Sequence, residues 1–368
     1  MKDLQNMELS NRYKKLLQQI VELSHRFGTT DFVHGGGGNT SVKNDTVLWV
    51  KPSGTTLSSL KAESFLAMDR QILSKIYEIE PSAESAAREA LIKKKMVQAV
   101  LPQTPGRASV EAPLHNSLGA RFVVHTHPAI VNGMTCSRQG PAACKELFPD
   151  ALWMDYIDPG WMLCMKARHQ ILKYKAEKGH EPQIIFLKNH GVFVAADGPE
   201  RVYAIYEGIM SKLRTHYDKA NLSTTLKIKP CLFGDELESA KKKISDAMQT
   251  GQLCIEACGA FDITEGPVSP DHIVYSKSYP LIEEPTQKAI ETFKEKNGYL
   301  PQVMAFGNAV FALGETEKKA SLALELAQDG ALVKKLARAF GGIEYMTGRA
   351  REFIENWEVE SFRSKQIT

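Results

Sequence analysis

The chain has 368 residues, long enough for two domains with a core each. Its 43% apolar and 24% charged residues are the mix of an ordinary soluble globular protein. The 46 basic side chains against 43 acidic ones leave only +3, so charge gives no pull towards nucleic acid or membrane.

Met1 to Asn6 is polar, without an apolar core of signal-peptide length, and no stretch approaches a membrane span. A cytoplasmic chain is expected, with reduced thiols at Cys136, Cys144, Cys164, Cys231, Cys254 and Cys258. In chain order, Leu9 to Phe27 reads as a helix with an apolar stripe of Leu16, Leu17, Ile20, Val21 and Leu23, stopped by Gly28. The glycines Gly35 to Gly38 lead into a hairpin: Thr40 to Lys43, an Asn44-Asp45 turn, then Thr46 to Val50. Lys51-Pro-Ser-Gly54 is a turn, and Ser82 to Leu101 a helix rich in Ala, Glu and Lys. Ser109 suits the N-cap of a short helix holding Leu114, His115 and Leu118. Phe122 to Val124 form a buried strand that runs into His125 and His127. Pro159 and Gly160 precede a helix to about Lys178. Ile184 to Leu187 is a second apolar strand, which delivers His190 and continues as Gly191 to Ala195. After an Asp197-Gly198 turn, a helix runs from Pro199 to Asp218.

The texture changes near Ser223, and Lys227 to Pro230 reads as a linker. The expected division is therefore 1–225 and 226–368. In the second part, Asn308-Ala-Val-Phe-Ala-Leu-Gly echoes His190-Gly-Val-Phe-Val-Ala-Ala, and His272 to Pro280 echoes Val47 to Gly54. A decayed duplication would place Asn308 where His190 stands, without a metal residue; such strand–turn–helix units also recur by chance. Cys254 and Cys258, at helical i,i+4 spacing, read as buried thiols.

Residues i and i+2 of a strand share a face, so His125 and His127 present two imidazoles side by side. With His190 they make three neutral nitrogen ligands and leave a position open, the pattern of a catalytic zinc-type site. The competing reading is three histidines satisfied within a core. Glu111, just before the metal strand, has two readings that position leaves even. It is either a metal ligand and proton-transfer group, or a first-turn glutamate favoured by a helix dipole. His115, four residues on, shares its helix face. The glycines before Asn39 and the Lys51-Pro-Ser-Gly54 turn suit anion cradles, though glycine runs are more often plain turns.

Taken together, Gly38-Asn39-Thr-Ser41, Lys51-Pro-Ser-Gly54, Ser109-Val-Glu111, His125-Thr-His127-Pro and Asn189-His190-Gly191 resemble the class II aldolase/adducin family over roughly residues 10–220. The remainder resembles the aldolase half of bacterial fused rhamnulose-1-phosphate aldolase/short-chain dehydrogenase proteins, through Ser269 to Tyr275, Gly341-Gly342 and Phe353 to Glu360, and the chain ends where their dehydrogenase half would begin. The resemblance implies an α/β fold of three layers, α/β/α, with a central, largely antiparallel sheet and a smaller C-terminal α/β unit. It implies Zn2+, or another divalent transition metal, on His125, His127 and His190, with Glu111 as ligand and proton-transfer residue. It implies a substrate phosphate on Asn39, Ser53, Gly54 and Ser109, and a homo-oligomer, a tetramer foremost, with no nucleic acid or membrane partner. At Val110 the chain departs from the simple sugar-phosphate aldolases, which often carry a second phosphate-contacting serine there. The activity implied is retro-aldol cleavage of a ketose 1-phosphate such as rhamnulose 1-phosphate. A 4-epimerase, a decarboxylase or a dehydratase would use the same site, and an adducin-like interaction module would use none of it.

Overall fold

The structure, a computed structural model, describes residues 2–80, 85–102, 106–249, 251 and 253–357. Ser82 to Glu84 of the expected helix and Glu358 to Glu360 of the C-terminal motif lie outside them.

Helix α1 (Lys2–Phe27) turns Ile20, Leu23 and Phe27 into the core. It stops at Gly28, where a Cβ would stand 2.5 Å from Ser58 N and 2.7 Å from Ser24 O. Strands β1 (Asn39–Lys43) and β2 (Val47–Val50) form the expected hairpin, and Asn44 Oδ1 accepts from the Thr46 and Val47 N–H groups to close its turn. After β3 (Leu66–Asp69), the Asp69 carboxylate caps α2 (Arg70–Ser74). Helices α3 (Ser85–Ala99) and α4 (Ala112–Ser117) lead to β4 (Phe122–Thr126). Then come α5 (Ala129–Thr135), α6 (Gly140–Leu147), β5 (Leu152–Met154) and α7 (Trp161–Lys178). The strands β6 (Ile184–Leu187) and β7 (Gly191–Ala196) precede α8 (Pro199–Lys219). The remaining elements are α9 (Gly234–Met248), β8 (Cys254–Gly259), α10 (Pro270–Ser276), α11 (Gln287–Asn297), β9 (Val303–Phe306), β10 (Ala309–Gly314), α12 (Glu317–Ala337) and α13 (Gly348–Asn356).

Two compact units emerge: residues up to 128 with 144–211, and 129–143 with those from 212 onward. Within the second unit α5, buried at every residue, packs with α12. At Gly133 of α5 a Cβ would meet Tyr217 Oη at 2.5 Å and Leu336 Cβ at 2.6 Å.

The first unit is built on a seven-stranded sheet in the order β3-β2-β1-β4-β7-β6-β5, antiparallel except for β5 on β6. This is the expected α/β architecture. On one face Val123, Ile185, Leu187, Phe193 and Ala195 pack with Leu114 of α4 and with Leu163, Ala167 and Ile171 of α7. On the other, Tyr206 of α8 donates to Val124 O at 3.2 Å, and its ring lies 4.3 Å from Phe27 of α1. The second unit carries a three-stranded antiparallel sheet, β8-β10-β9. Ile244 of α9 and Phe293 of α11 pack with Phe311 and Leu313, while Ala323 and Ala327 of α12 pack with Val310 and Ala312 on the other side.

Two readings of the second unit are corrected. Cys254 and Cys258 lie on strand β8, not a helix, and are half-buried. The run of small and β-branched residues Cys-Ile-Glu-Ala-Cys-Gly pairs with β10 along its full length. His272 to Ser276 is helical in α10, with Pro270 at its start, whereas Val47 to Val50 is strand; that echo has no structural counterpart.

Candidate metal centre

Strand β4 is buried from Phe122 to Thr126 and carries His125 directly opposite Phe193 of β7. The two rings stack face to face, 3.9 Å between centroids and 9° apart in plane. Just past the strand, His127 is held by its N–H donating to Phe32 O at 2.9 Å. His190 corrects the sequence reading. It does not sit within one continuing strand but in the tight turn between β6 and β7, where Asn189 takes the left-handed conformation, φ 51°. Gly191 makes the turn fit. A Cβ there would stand 2.3 Å from Thr126 O and 2.7 Å from His127 Cδ2, so only glycine brings the hairpin this close to β4.

The three imidazoles converge. His125 Nε2 lies 2.9 Å from His127 Nε2 and 3.4 Å from His190 Nε2, and one ligand atom of each falls within 4.8 Å of the others. All three residues are buried. Tetrahedral Zn–N bonds of ~2.05 Å place ligand atoms ~3.3 Å apart, close to this spacing. His125 Nδ1 lies 3.0 Å from Val192 O, which can only accept. The ring therefore carries a proton on Nδ1 and turns Nε2 into the cluster, which is the atom a metal would take. Three buried imidazole nitrogens facing one another at this spacing fit a divalent cation.

Glu111 stands against two of the three. Its Oε1 is 3.3 Å from His125 Nε2 and 3.9 Å from His190 Nε2, and its Oε2 accepts from Asn39 Nδ2 at 3.4 Å. Burial alone would push this carboxyl up, but the His125, His190 and His115 imidazoles hold it well below the usual carboxylate range. It is an ionised group. Two polar atoms around it are buried without a hydrogen-bond partner, Asn39 Oδ1 and His115 Nε2. A buried polar atom left without a partner costs ~1–3 kcal/mol, so both atoms suit a polar ligand beside Glu111.

The expected phosphate residues fall in two places. Asn39 ends at Glu111, next to the imidazoles. The Pro52 to Gly54 turn bridges to Ala108, with Ser53 N donating to Arg107 O at 2.8 Å and Gly54 at φ 82°. That bridge sets Ser53 beside the segment leading to Ser109. Ser109 is not the helix cap. Pro113 fixes the start of α4 so that Glu111 holds the cap position, and Ser109 Oγ accepts from Glu111 N at 3.2 Å. One charged group went unassigned in the sequence reading: Lys51 is buried, with Nζ donating to Gly36 O at 3.2 Å, and its charge is felt at His115. Its place at the head of the Lys51-Pro-Ser-Gly54 turn was the available signal.

The class II aldolase and adducin N-terminal domain matches residues 18–217, which span every residue of this cluster. The chain belongs to that family. Among curated proteins it is similar to the uncharacterised oxidoreductase YuxG of Bacillus subtilis, 24% identical over 318 residues, covering 76% of this chain and 44% of that protein. It is also similar to an L-fuculose phosphate aldolase of Methanococcus vannielii, 31% identical over 68 residues, covering 18% of this chain and 36% of that protein. The chain thus spans less than half the length of either relative. Among solved structures, the N-terminal class II aldolase domain of a conserved Thermoplasma acidophilum protein is 24% identical, with a TM-score of 0.46, covering 54% of this chain and 91% of that one. The matched domain carries the buried three-histidine cluster of this chain, the setting of an enzyme of the class II aldolase/epimerase superfamily.

Proposed function

We propose that this protein is a metal-dependent lyase that cleaves a ketose 1-phosphate, with rhamnulose 1-phosphate as the leading candidate, to dihydroxyacetone phosphate and an aldehyde. The observation that carries the reading is Glu111 Oε1 lying 3.3 Å from His125 Nε2 in a buried three-histidine cluster. The matched L-fuculose phosphate aldolase and the partial span of a longer oxidoreductase-named relative support it. The presence of all three histidines and Glu111 speaks against a purely interacting, adducin-like role.

A divalent metal held by His125, His127 and His190, zinc or another imidazole-preferring ion, would supply Lewis-acid polarisation of the ketose carbonyl. In cleavage the C3–C4 bond breaks, its electron pair moves towards C2, the C4 hydroxyl loses a proton and C3 gains one. The C4 hydroxyl proton leaves to solvent; Glu111, ionised at rest, takes up a proton from solvent and delivers it to C3, and in condensation the same carboxylate removes it. Asn39, Ser53, Gly54 and Ser109 bind the phosphate through neutral donors, and Lys51 adds charge. Holding the phosphate fixes C3 in front of Glu111. A catalytic part over 1–225, an accessory part over 226–368, a homotetramer and a cytoplasmic location belong to the same proposal.

The test is chelation followed by product analysis on a panel of ketose phosphates. Metal-free protein is expected to lose dihydroxyacetone phosphate release and regain it with added zinc. Full turnover after chelation contradicts the reading, and a zinc-restored epimer, dehydrated or decarboxylated product would reassign the reaction while keeping the site.

A further inference from the structure

His115 is fully buried, and the reading above gives it no part. Its backbone N–H donates to Glu111 O at 3.0 Å, so it lies one helical turn beyond Glu111. Three features of the first unit fix its ring and backbone. Its Nδ1 lies 2.8 Å from Ser41 Oγ, Lys43 Nζ donates to its carbonyl at 2.7 Å, and the ring meets the edge of Phe193, whose face carries His125. Ser41 and Asn39 are i,i+2 on β1, so Asn39–Glu111 and Ser41–His115 are successive rungs between strand and helix.

The remaining ring nitrogen, Nε2, is buried and makes no hydrogen bond. Burial, offset by Glu111 and reinforced by the charges of His125, Lys43 and Lys51, holds His115 down to about 3, so the ring is neutral. Of the two directions the Ser41–Nδ1 hydrogen bond can take, the one in which the hydroxyl donates puts the ring's proton on Nε2, the arrangement that the Glu111 charge nearby favours. A neutral imidazole thus holds a donor with no acceptor, one turn from a carboxylate that leans on the histidine cluster.

We propose that His115 is the positioning residue for Glu111: its Nε2–H is a second seat for the Glu111 carboxylate, taken when a ligand displaces that carboxylate from the histidine cluster. The inference rests on the metal reading of that cluster. It gives Glu111 two defined positions, against His125 and His190 or against His115, with Asn39 alongside.

The test uses the full chain, zinc, and acetohydroxamate as a bidentate metal-binding probe. His115→Phe keeps the ring's bulk and removes the donor; His115→Gln keeps an N–H near Nε2. Zinc affinity is expected to stay within about threefold of wild type in both. Acetohydroxamate affinity is expected to fall about tenfold or more in His115→Phe and to recover in His115→Gln, because the displaced carboxylate loses and regains a charge-assisted hydrogen bond. Zinc affinity falling in step with hydroxamate affinity in both variants overturns the inference in favour of a structural role. Unchanged hydroxamate affinity in His115→Phe, beside normal zinc uptake, overturns it alone. A wild-type chain that takes up no zinc overturns the metal reading and this inference with it.

Discussion

Gly191 decides whether three histidines become one site. His125 and His127 were legible in sequence because a buried strand fixes which face i and i+2 share. His190 was legible as a candidate, but its geometry was not, since it depends on the register Thr126↔Val192 between strands far apart in sequence. That register runs the start of β7 against His127, where no side chain fits. Gly191→Ala forces the His190 turn away from β4. Its zinc affinity is expected to fall at least tenfold, with a lower Tm but a cooperative melt, as read by zinc titration and calorimetry. Unchanged zinc affinity would mean that the turn does not set the position of His190. Lys51 and the Glu111 cap position were missed for a related reason: both follow from how the Lys51-Pro-Ser-Gly54 turn and Pro113 fold locally, which residue type alone does not give.

At the scale of elements, β1 and α4 act as a pair. Asn39, Ser41 and Lys43 face the same way and reach Glu111, the His115 ring and the His115 carbonyl in turn. The last of these is a buried lysine, and burial, with Arg70 adding to it against Glu181 and Asp197, pulls its pKa from 10.5 to about 7. The protonated form is penalised in the fold, so between about 7 and 10.5 the unfolded chain binds more protons and stability rises with pH. Wild type is therefore expected to gain stability relative to Lys43→Met as pH rises through that window, followed by urea melts; a pH-independent difference would contradict it. The hairpin of β1 and β2 was readable from its Asn44-Asp45 turn. The strand β8 was not, because a spacing of four puts Cys254 and Cys258 on one face of a helix and of a strand alike, and only pairing with β10 chooses.

Over the whole molecule, the three strands of the second unit repeat the pairing of three of the seven strands of the first, but not its site. In the first, β4-β7-β6 places His125 opposite Phe193; in the second, β8-β10-β9 places Ala257 opposite Phe311. Counting along those registers, Gly259 stands at the position of His127, and Asn308 at that of His190, also in a turn between strands. Among the described residues, the first unit alone holds a close set of metal-ligand groups, and the family match covers it. No helix among those residues is long and apolar enough to cross a membrane. The central claim is that one cation belongs to His125, His127 and His190, and metal analysis of zinc-equilibrated, gel-filtered protein addresses it directly. The account predicts one tightly held ion per chain in wild type and its loss in His190→Ala with the fold retained; a wild-type chain that holds none, or a His190→Ala chain that holds it as tightly, contradicts the account.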